Sequence, residues 1–491
     1  MISRVKRYVL GVDIGTSGCK CTLLDDLGNL VASASSEYMA AISGDGYAEQ
    51  NPLEWYQAMI LCLHDFKTSY GIDLHDISSV CATGQMQGAT FLDSEGKPVR
   101  PSILWNDLRS VAESDEINEK MGDHFVDATS FAATSSLTIS KYLWVRKNEP
   151  EIFNNISKIT FASSFISFML TGRISADRNN ITLSGLNDIN KNDWSKSILD
   201  AFNIPEEVLP ELTDSFETVG TITREAAALT GLKVGIPVIA GGGDASCESY
   251  SIGIAGTNKL KIRLGSAADM SLVIPISTLP PGSALSGLRD VLPDHMLVGQ
   301  YTKSCAASVK WARNVFYSEI PTSDDAYSKM DQDASQVPIG ADGLTFHPYL
   351  TGENAPYFDS NLRGKFSGIN IGHTRGHFVR AVYEGVSFSI LDVLNSFSIF
   401  QIATDIIFVG GGTKSKVWLQ ILSNVLGKAG TAAKNGDASF GAALIAGEGA
   451  GVFNAEEAIR MNISQGRKII PTESSDVYSP FFENYKQLVG K

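Results

Sequence analysis

At 491 residues the chain is too long for one comfortable core and predicts two or more large domains. Hydrophobic residues make up 43% of it, so each half can bury a core of its own. Its 40 Lys and Arg stand against 54 Asp and Glu, for a net charge of −14, which argues against nucleic acid as a partner.

Basic residues at 1–7 precede the apolar run Tyr8–Val12 and imitate a leader, but the run stops at Asp13, too soon for the core of a signal peptide. No stretch has the length of a membrane span, so the expectation is a cytoplasmic chain without a membrane partner. The six cysteines (Cys19, Cys21, Cys62, Cys81, Cys247 and Cys305) form no CxxC pair and read as buried, reduced thiols. Cys19 and Cys21 would share one face of a strand.

In chain order, residues 8–12, 19–24 and 30–38 read as strands joined by the turns Gly15–Gly18 and Asp25–Asn29, an antiparallel meander. Asn51-Pro52-Leu53-Glu54 opens a helix to about residue 67. Residues 77–83 form a strand that ends in Gly84-Gln85-Met86-Gln87-Gly88, and a hairpin turns at Asp93–Pro98. Residues 110–235 are richer in helix. Then Pro237–Ala240 runs into Gly241-Gly242-Gly243-Asp244, a strand, a sharp turn and a carboxylate at the start of a helix.

A second half can be laid beside the first. Lys259–Ala268 followed by Met270–Ile274 repeats the strand, small-residue turn and strand of 8–24. Ile406–Val409, followed by Gly410-Gly411-Gly412-Thr413, is set against 238–246. The chain thus reads as an α/β protein with a duplicated unit. Its domains are expected at 1–254 and 255–491.

Such a duplication suggests a nucleotide held between two lobes. Gly15, Thr16 and Ser17 would form a first phosphate loop, with Gly265 and Ser266 in a second, because N–H groups in small-residue turns can point at an anion. Gly411 and Gly412, with Ser415 beyond, would lie against base or ribose. No Walker loop and no dinucleotide fingerprint is present. His373 and His377 are four apart, but no carboxylate completes a metal motif, and Thr374 reads as a helix N-cap.

Two longer segments carry a resemblance. Ser136–Asn148, with Lys141 and Trp144, and Gly364–Glu384, with Gly368 and Glu384, are similar to the two signatures of the FGGY carbohydrate kinases. The resemblance spans nearly the whole chain. It implies the two-domain actin-like ATPase (ribonuclease H-like) fold with a cleft between lobes, ATP and Mg²⁺, a small-molecule sugar substrate and, by analogy with related kinases, a homodimer. Within the family, Gly84–Ala89, Ile103–Asp107 and Phe346–Glu353 are most similar to kinases of D-xylulose. Gln87 stands where those usually carry His, and Ala245 where Asn is common. Other ketoses or polyols (ribulose, a tetritol, a ketoheptose) therefore stay open, as does a sensor of the same fold without turnover.

In a sugar kinase a carboxylate placed to take the hydroxyl proton assists transfer, and Asp244 is the candidate base. Asp13, beside the first loop, would hold Mg²⁺ through water. Met86, Gln87, Trp105, Asn106 and Asp107 are the expected sugar contacts, with amides and a carboxylate for vicinal hydroxyls and apolar surface for the C–H face.

Overall fold

The computed structural model describes residues 7–278 and 287–489; the basic segment 1–6 lies outside them. The first half builds a six-stranded sheet from β1 (Tyr8–Ile14), β2 (Gly18–Asp25), β3 (Leu30–Glu37), β4 (Ile77–Gly84), β5 (Thr218–Thr221) and β6 (Pro237–Ile239), in the order β5-β6-β4-β1-β2-β3. Strands β1, β3, β4 and β6 run in one direction, while β2 and β5 run against them. Apolar β1 is buried on both faces, as a central strand between helical layers must be. The first helix, α1 (Pro52–Thr68), starts where its sequence says: Asn51 Oδ1 accepts from Leu53 N at 3.1 Å, with Pro52 at the first helical position. Helix α2 (Thr138–Asn148) belongs to the helix-rich stretch, and α3 (Asp244–Ser251) follows β6.

The second half holds a seven-stranded sheet: β7 (Lys259–Leu264), β8 (Ala268–Pro275), β9 (Gly287–Arg289), β10 (His295–Thr302), β11 (Asp405–Val409), β12 (Gly430–Ala432) and β13 (Arg467–Ile469), ordered β9-β10-β8-β7-β11-β12-β13. Its helices include α4 (Ala306–Phe316), α5 (Arg375–Ser396), α6 (Lys416–Leu426) and α7 (Ala438–Gly449). Thr374 caps α5 together with His377, whose Nε2 also meets Asp342 at 3.1 Å, so His377 serves a helix start, while His373 bonds Asn370.

The sheets share a five-strand core with the same order and directions, β3-β2-β1-β4-β6 against β10-β8-β7-β11-β12. That correspondence corrects the repeat read from the sequence. Gly410–Gly412 follows β11, the counterpart of β4, so its partner is Gly84–Gly88. The counterpart of Gly243-Asp244-Ala245-Ser246 after β6 is Gly436-Asp437-Ala438-Ser439 after β12. Four identical residues open α3 and α7, and each copy carries an acid, Asp244 and Asp437.

Helix α7 leaves its own half and lies on the first sheet. It also crosses α3, and the two share an apolar cluster with Val9, Cys81 and Ile239. The crossing is tight at Gly441, where an added Cβ would stand 1.9 Å from the Cys247 carbonyl oxygen. Backbone cannot yield as a flexible side chain would. Gly441→Ala is therefore expected to cost about 3 kcal/mol in urea unfolding, by forcing the two helices apart.

Candidate active site

In each sheet the loops that follow the parallel strands gather at one edge, the carboxyl ends where α/β sheets place ligands. From the first sheet come 15–17, 84–88 and 240–244; from the second come 265–267, 410–415 and 433–437. The two edges meet at a cross-lobe ion pair, Lys20 Nζ to Asp437 Oδ2 at 2.7 Å, and at a Thr22–Ser439 hydroxyl contact of 2.7 Å.

Asp13, next to last in β1, sits opposite Lys20 in the β1–β2 ladder. Its Oδ1 is buried without a hydrogen-bond partner. Burial, then the charges of Asp244 and Asp437, push this carboxyl up to about 8, against the pull of Lys20. Burial also acts to raise Asp437, but the Lys20 ammonium, the Ser439 hydroxyl and the Phe440 N–H outweigh it and hold Asp437 below the usual carboxylate range. In the first loop Gly15 N donates to Gly18 O at 3.0 Å, and Tyr38 OH to Gly15 O at 2.7 Å. Thr16 Oγ1 accepts from Trp105 Nε1 at 3.0 Å, and Ser17 is exposed at the tip.

The Gly241–Asp244 turn is clamped by Asn179. Its Oδ1 accepts from Gly243 N at 2.7 Å, and its Nδ2 donates to Ser246 Oγ at 2.8 Å and to the Arg289 carbonyl. Met86 presses on Gly243 so closely that an added Cβ would meet its Sδ at 2.3 Å. Asp244 thus begins α3 half-buried, with Oδ1 accepting from Ala245 N at 2.8 Å. Burial first, with Glu248 adding repulsion, lifts its carboxyl to about 6, although that N–H, Arg263 and Lys261 work the other way. Glu248, one turn on, meets Lys261 at 3.3 Å and Arg263 at 3.2 Å. The β7–β8 ladder pairs Arg263 with Asp269 where β1–β2 pairs Asp13 with Lys20, the same register with the charges exchanged.

Trp105 is 43% exposed, outside the core. Asn106 Oδ1 is buried and unpartnered, an acceptor ready for a hydroxyl. Gln87 adopts φ 64, a left-handed conformation unfavourable for a residue with a side chain. Its carbonyl is held there by Lys141 Nζ at 2.7 Å and Thr138 Oγ1 at 3.4 Å. Lys141 is fully buried at the foot of α2, where it also donates to Ser136 O; burial, offset by Asp107, lowers its pKa to about 7. Lys141→Met should free Gln87 and raise KM for the sugar at least tenfold while leaving KM for ATP within about twofold, read from initial rates.

Asp107 is a correction. It is wholly buried, and all four lone-pair sites of its carboxylate are filled. Oδ1 accepts from Arg109 N (2.9 Å) and Nε (2.8 Å), Oδ2 from Arg109 Nη2 (2.8 Å) and Ala48 N (2.5 Å). It anchors the loop that carries Trp105 and Asn106 and has nothing left for a sugar.

On the second edge, the Gly265 and Ser266 carbonyls accept from the first amides of α4, with Ala306 N at 2.8 Å and Cys305 N at 2.7 Å. Across planar trans peptides the N–H groups of Ser266 and Ala267 point the other way, as an anion loop requires. Gly410 and Gly412 press on Leu264, at the root of that loop, while Gly411 opens onto free space. Ser415 is the second correction: its hydroxyl donates to Asp331 Oδ1 at 2.7 Å and accepts from Trp418 N at 3.0 Å, so it is spent as the N-cap of α6.

Sequence reasoning missed Lys20, Asn179, Arg263 and Asp437. A signal existed for two of them: Lys20 follows from the hairpin register, and Asp437 from the repeated Gly-Asp-Ala-Ser. Asp13, Asp244 and Asp437 suit a dication, since Asp13 Oδ1 is an orphaned buried acceptor amid like charges. Among the described residues, only three cysteines elsewhere bring acidic or thiol ligand atoms to within 4.8 Å of one another, so these carboxylates would reach Mg²⁺ through its waters.

The chain matches the model of the FGGY family of carbohydrate kinases, N-terminal domain, over residues 8–249, and the C-terminal domain over 273–450. It is 32% identical to a xylulose kinase of Lactococcus lactis, covering 92% of this chain and 90% of that one. A gluconokinase of Bacillus subtilis is 26% identical, covering 98% of this chain and 96% of its own. The crystal structure of xylulose kinase from Rhodospirillum rubrum superposes with a TM-score of 0.86 at 27% identity, over 98% of both chains.

Proposed function

Because the chain belongs to the FGGY family of carbohydrate kinases, we propose that it moves the γ-phosphoryl group of ATP to a hydroxyl of a ketose or polyol, with D-xylulose the first candidate. Asp244 carries this reading: a half-buried carboxylate with its pKa near 6, next to Gly243, on which Met86 packs, and within reach of the Lys261 and Arg263 charges. The lobes are taken as 1–254, with sugar and base, and 255–491, with the nucleotide.

In this reading Asn106 and Gln87 orient the sugar, and Trp105 covers its C–H face. Asp244 takes the hydroxyl proton as the oxygen attacks phosphorus. Phosphate oxygens rest on the N–H groups of Thr16, Ser17 and 265–267, with Lys20 offering a positive charge between them, while the Gly15 N–H is spent on Gly18 O. Asp13 would hold Mg²⁺ through water, and the ion would neutralise the β- and γ-phosphate charge. Closure of the two edges keeps water from taking the phosphoryl group.

The likeness to xylulose kinases favours D-xylulose; Gln87 and the likeness to a gluconokinase favour testing more widely. ADP release should be measured with D-xylulose, D-ribulose, a tetritol, a ketoheptose and D-gluconate. The expected result is a kcat/KM for D-xylulose at least tenfold above the rest. A higher value for another member would replace D-xylulose, and sugar binding without any turnover would replace the kinase by a sensor.

A further inference from the structure

Cys19 and Cys21 project from one face of β2 and meet Cys62 of α1. The three sulfurs lie within 4.8 Å of one another, with Cys19 and Cys21 Sγ at 3.9 Å and Cys62 Sγ 3.8 Å from the Cys19 carbonyl oxygen. Bonds of about 2.3 Å from one soft centre to three thiolates put sulfurs roughly 3.5–4 Å apart, so small side-chain adjustments bring all three onto one atom.

The surroundings select the charge of that atom. All three thiols are buried at 0–1% exposure in an apolar cluster. The Asp13 carboxyl is close enough to act on Cys19. Three thiolates carry three negative charges. A monovalent or divalent ion would leave a net anion in an apolar site next to an acid, at high cost. Zinc would also lack the fourth ligand its tetrahedron needs, since no fourth His, Cys, Asp or Glu joins the group among the described residues. A trivalent thiophilic centre alone gives a neutral complex.

We infer that Cys19, Cys21 and Cys62 form a three-thiolate site for a soft trivalent centre of the arsenite class, which enters the core as its neutral hydroxide. The exchange balances without redox: each thiol gives its proton to one As–OH, one As–S bond replaces that As–O bond, and three waters leave for each arsenic bound. Arsenic would lie directly behind the Gly15–Gly18 loop, since Cys19 follows Gly18 and pairs with Ile14.

The test uses the full-length folded protein, incubated with arsenite for hours, desalted and examined by native mass spectrometry and arsenic X-ray absorption. One arsenic per chain with three sulfur neighbours and no oxygen is the expected result. Cys62→Ala and Cys19→Ala should each bind at least tenfold less, and Cys305→Ala as much as the parent. No arsenic on the parent, two sulfurs with an oxygen, or undiminished binding by Cys62→Ala overturns the site. The absorption measurement needs no variant, so a substitution that fails to fold does not spare the proposal.

Discussion

Asp244→Asn should lower kcat by about 10³-fold, within the range of a lost general base, and leave KM for sugar and ATP within a few-fold. The amide keeps the volume of the carboxylate and can still accept from Ala245 N, so the Gly241–Asp244 turn, clamped through Asn179, is preserved. Linkage gives a second expectation. The folded-state pKa of Asp244 is raised, to about 6, so its contribution to stability is full below the ordinary carboxylate value and is lost as pH rises through 6. At pH 7.5 the charged form is therefore a cost to the fold, and the variant should melt no lower than the parent. With Mg²⁺ saturating, so that Asp13 is held deprotonated throughout, kcat/KM of the parent should fall tenfold per pH unit below about 6 and be level above it. That limb should vanish in the variant. Turnover within tenfold of the parent, or an acid limb that persists unmoved, removes Asp244 from the role of base.

Much of this was legible because local chemistry decides it. The β1–β2 hairpin, the Asn51 cap and the turn before Asp244 each follow from a few adjacent residues. Partners distant in sequence were not legible. Two residues on from Trp105, Asp107 looks like a sugar ligand until Arg109 and Ala48 fill every lone pair. Ser415 looks like a nucleotide contact until Asp331, far back in the chain, accepts its hydroxyl hydrogen bond. Matching glycine triplets misaligns the repeat, because strand order, which the sequence does not show, defines equivalence. By order, Gly410–Gly412 answers Gly84–Gly88, and the acid-bearing turn recurs at Asp437 behind Asn435-Gly436, with no triplet.

That realignment bears on charge at the cleft. Asp244, Asp437 and Glu248 all act on Asp13 there, and Glu248 acts on Asp244, an arrangement that repels a polyphosphate unless cations intervene. Lys261 and Arg263 are occupied by Glu248 and answer the α3 side. On the Asp13 side the cation is Lys20, whose side chain keeps 42% exposure while it holds Asp437. It can turn from Asp437 to an incoming phosphate without new desolvation.

Lys20→Met should therefore lower kcat by about 10²–10³-fold, the scale of losing one fixed charge from phosphoryl transfer, and raise KM for ATP, with KM for sugar nearly unchanged. Lys20→Arg should recover most of the loss, because it restores the charge at similar reach. The loss of the ammonium also lets the pKa of Asp13 climb further, since Lys20 is what pulls it down. The variant should thus need more Mg²⁺ for half-maximal rate, and more at pH 7 than at pH 8.5, where a protonated Asp13 gives up its proton more readily. An unchanged Mg²⁺ requirement with a normal kcat would reduce Lys20 to a clamp for Asp437, and the charge for the phosphate would then have to come from Arg263 across the cleft.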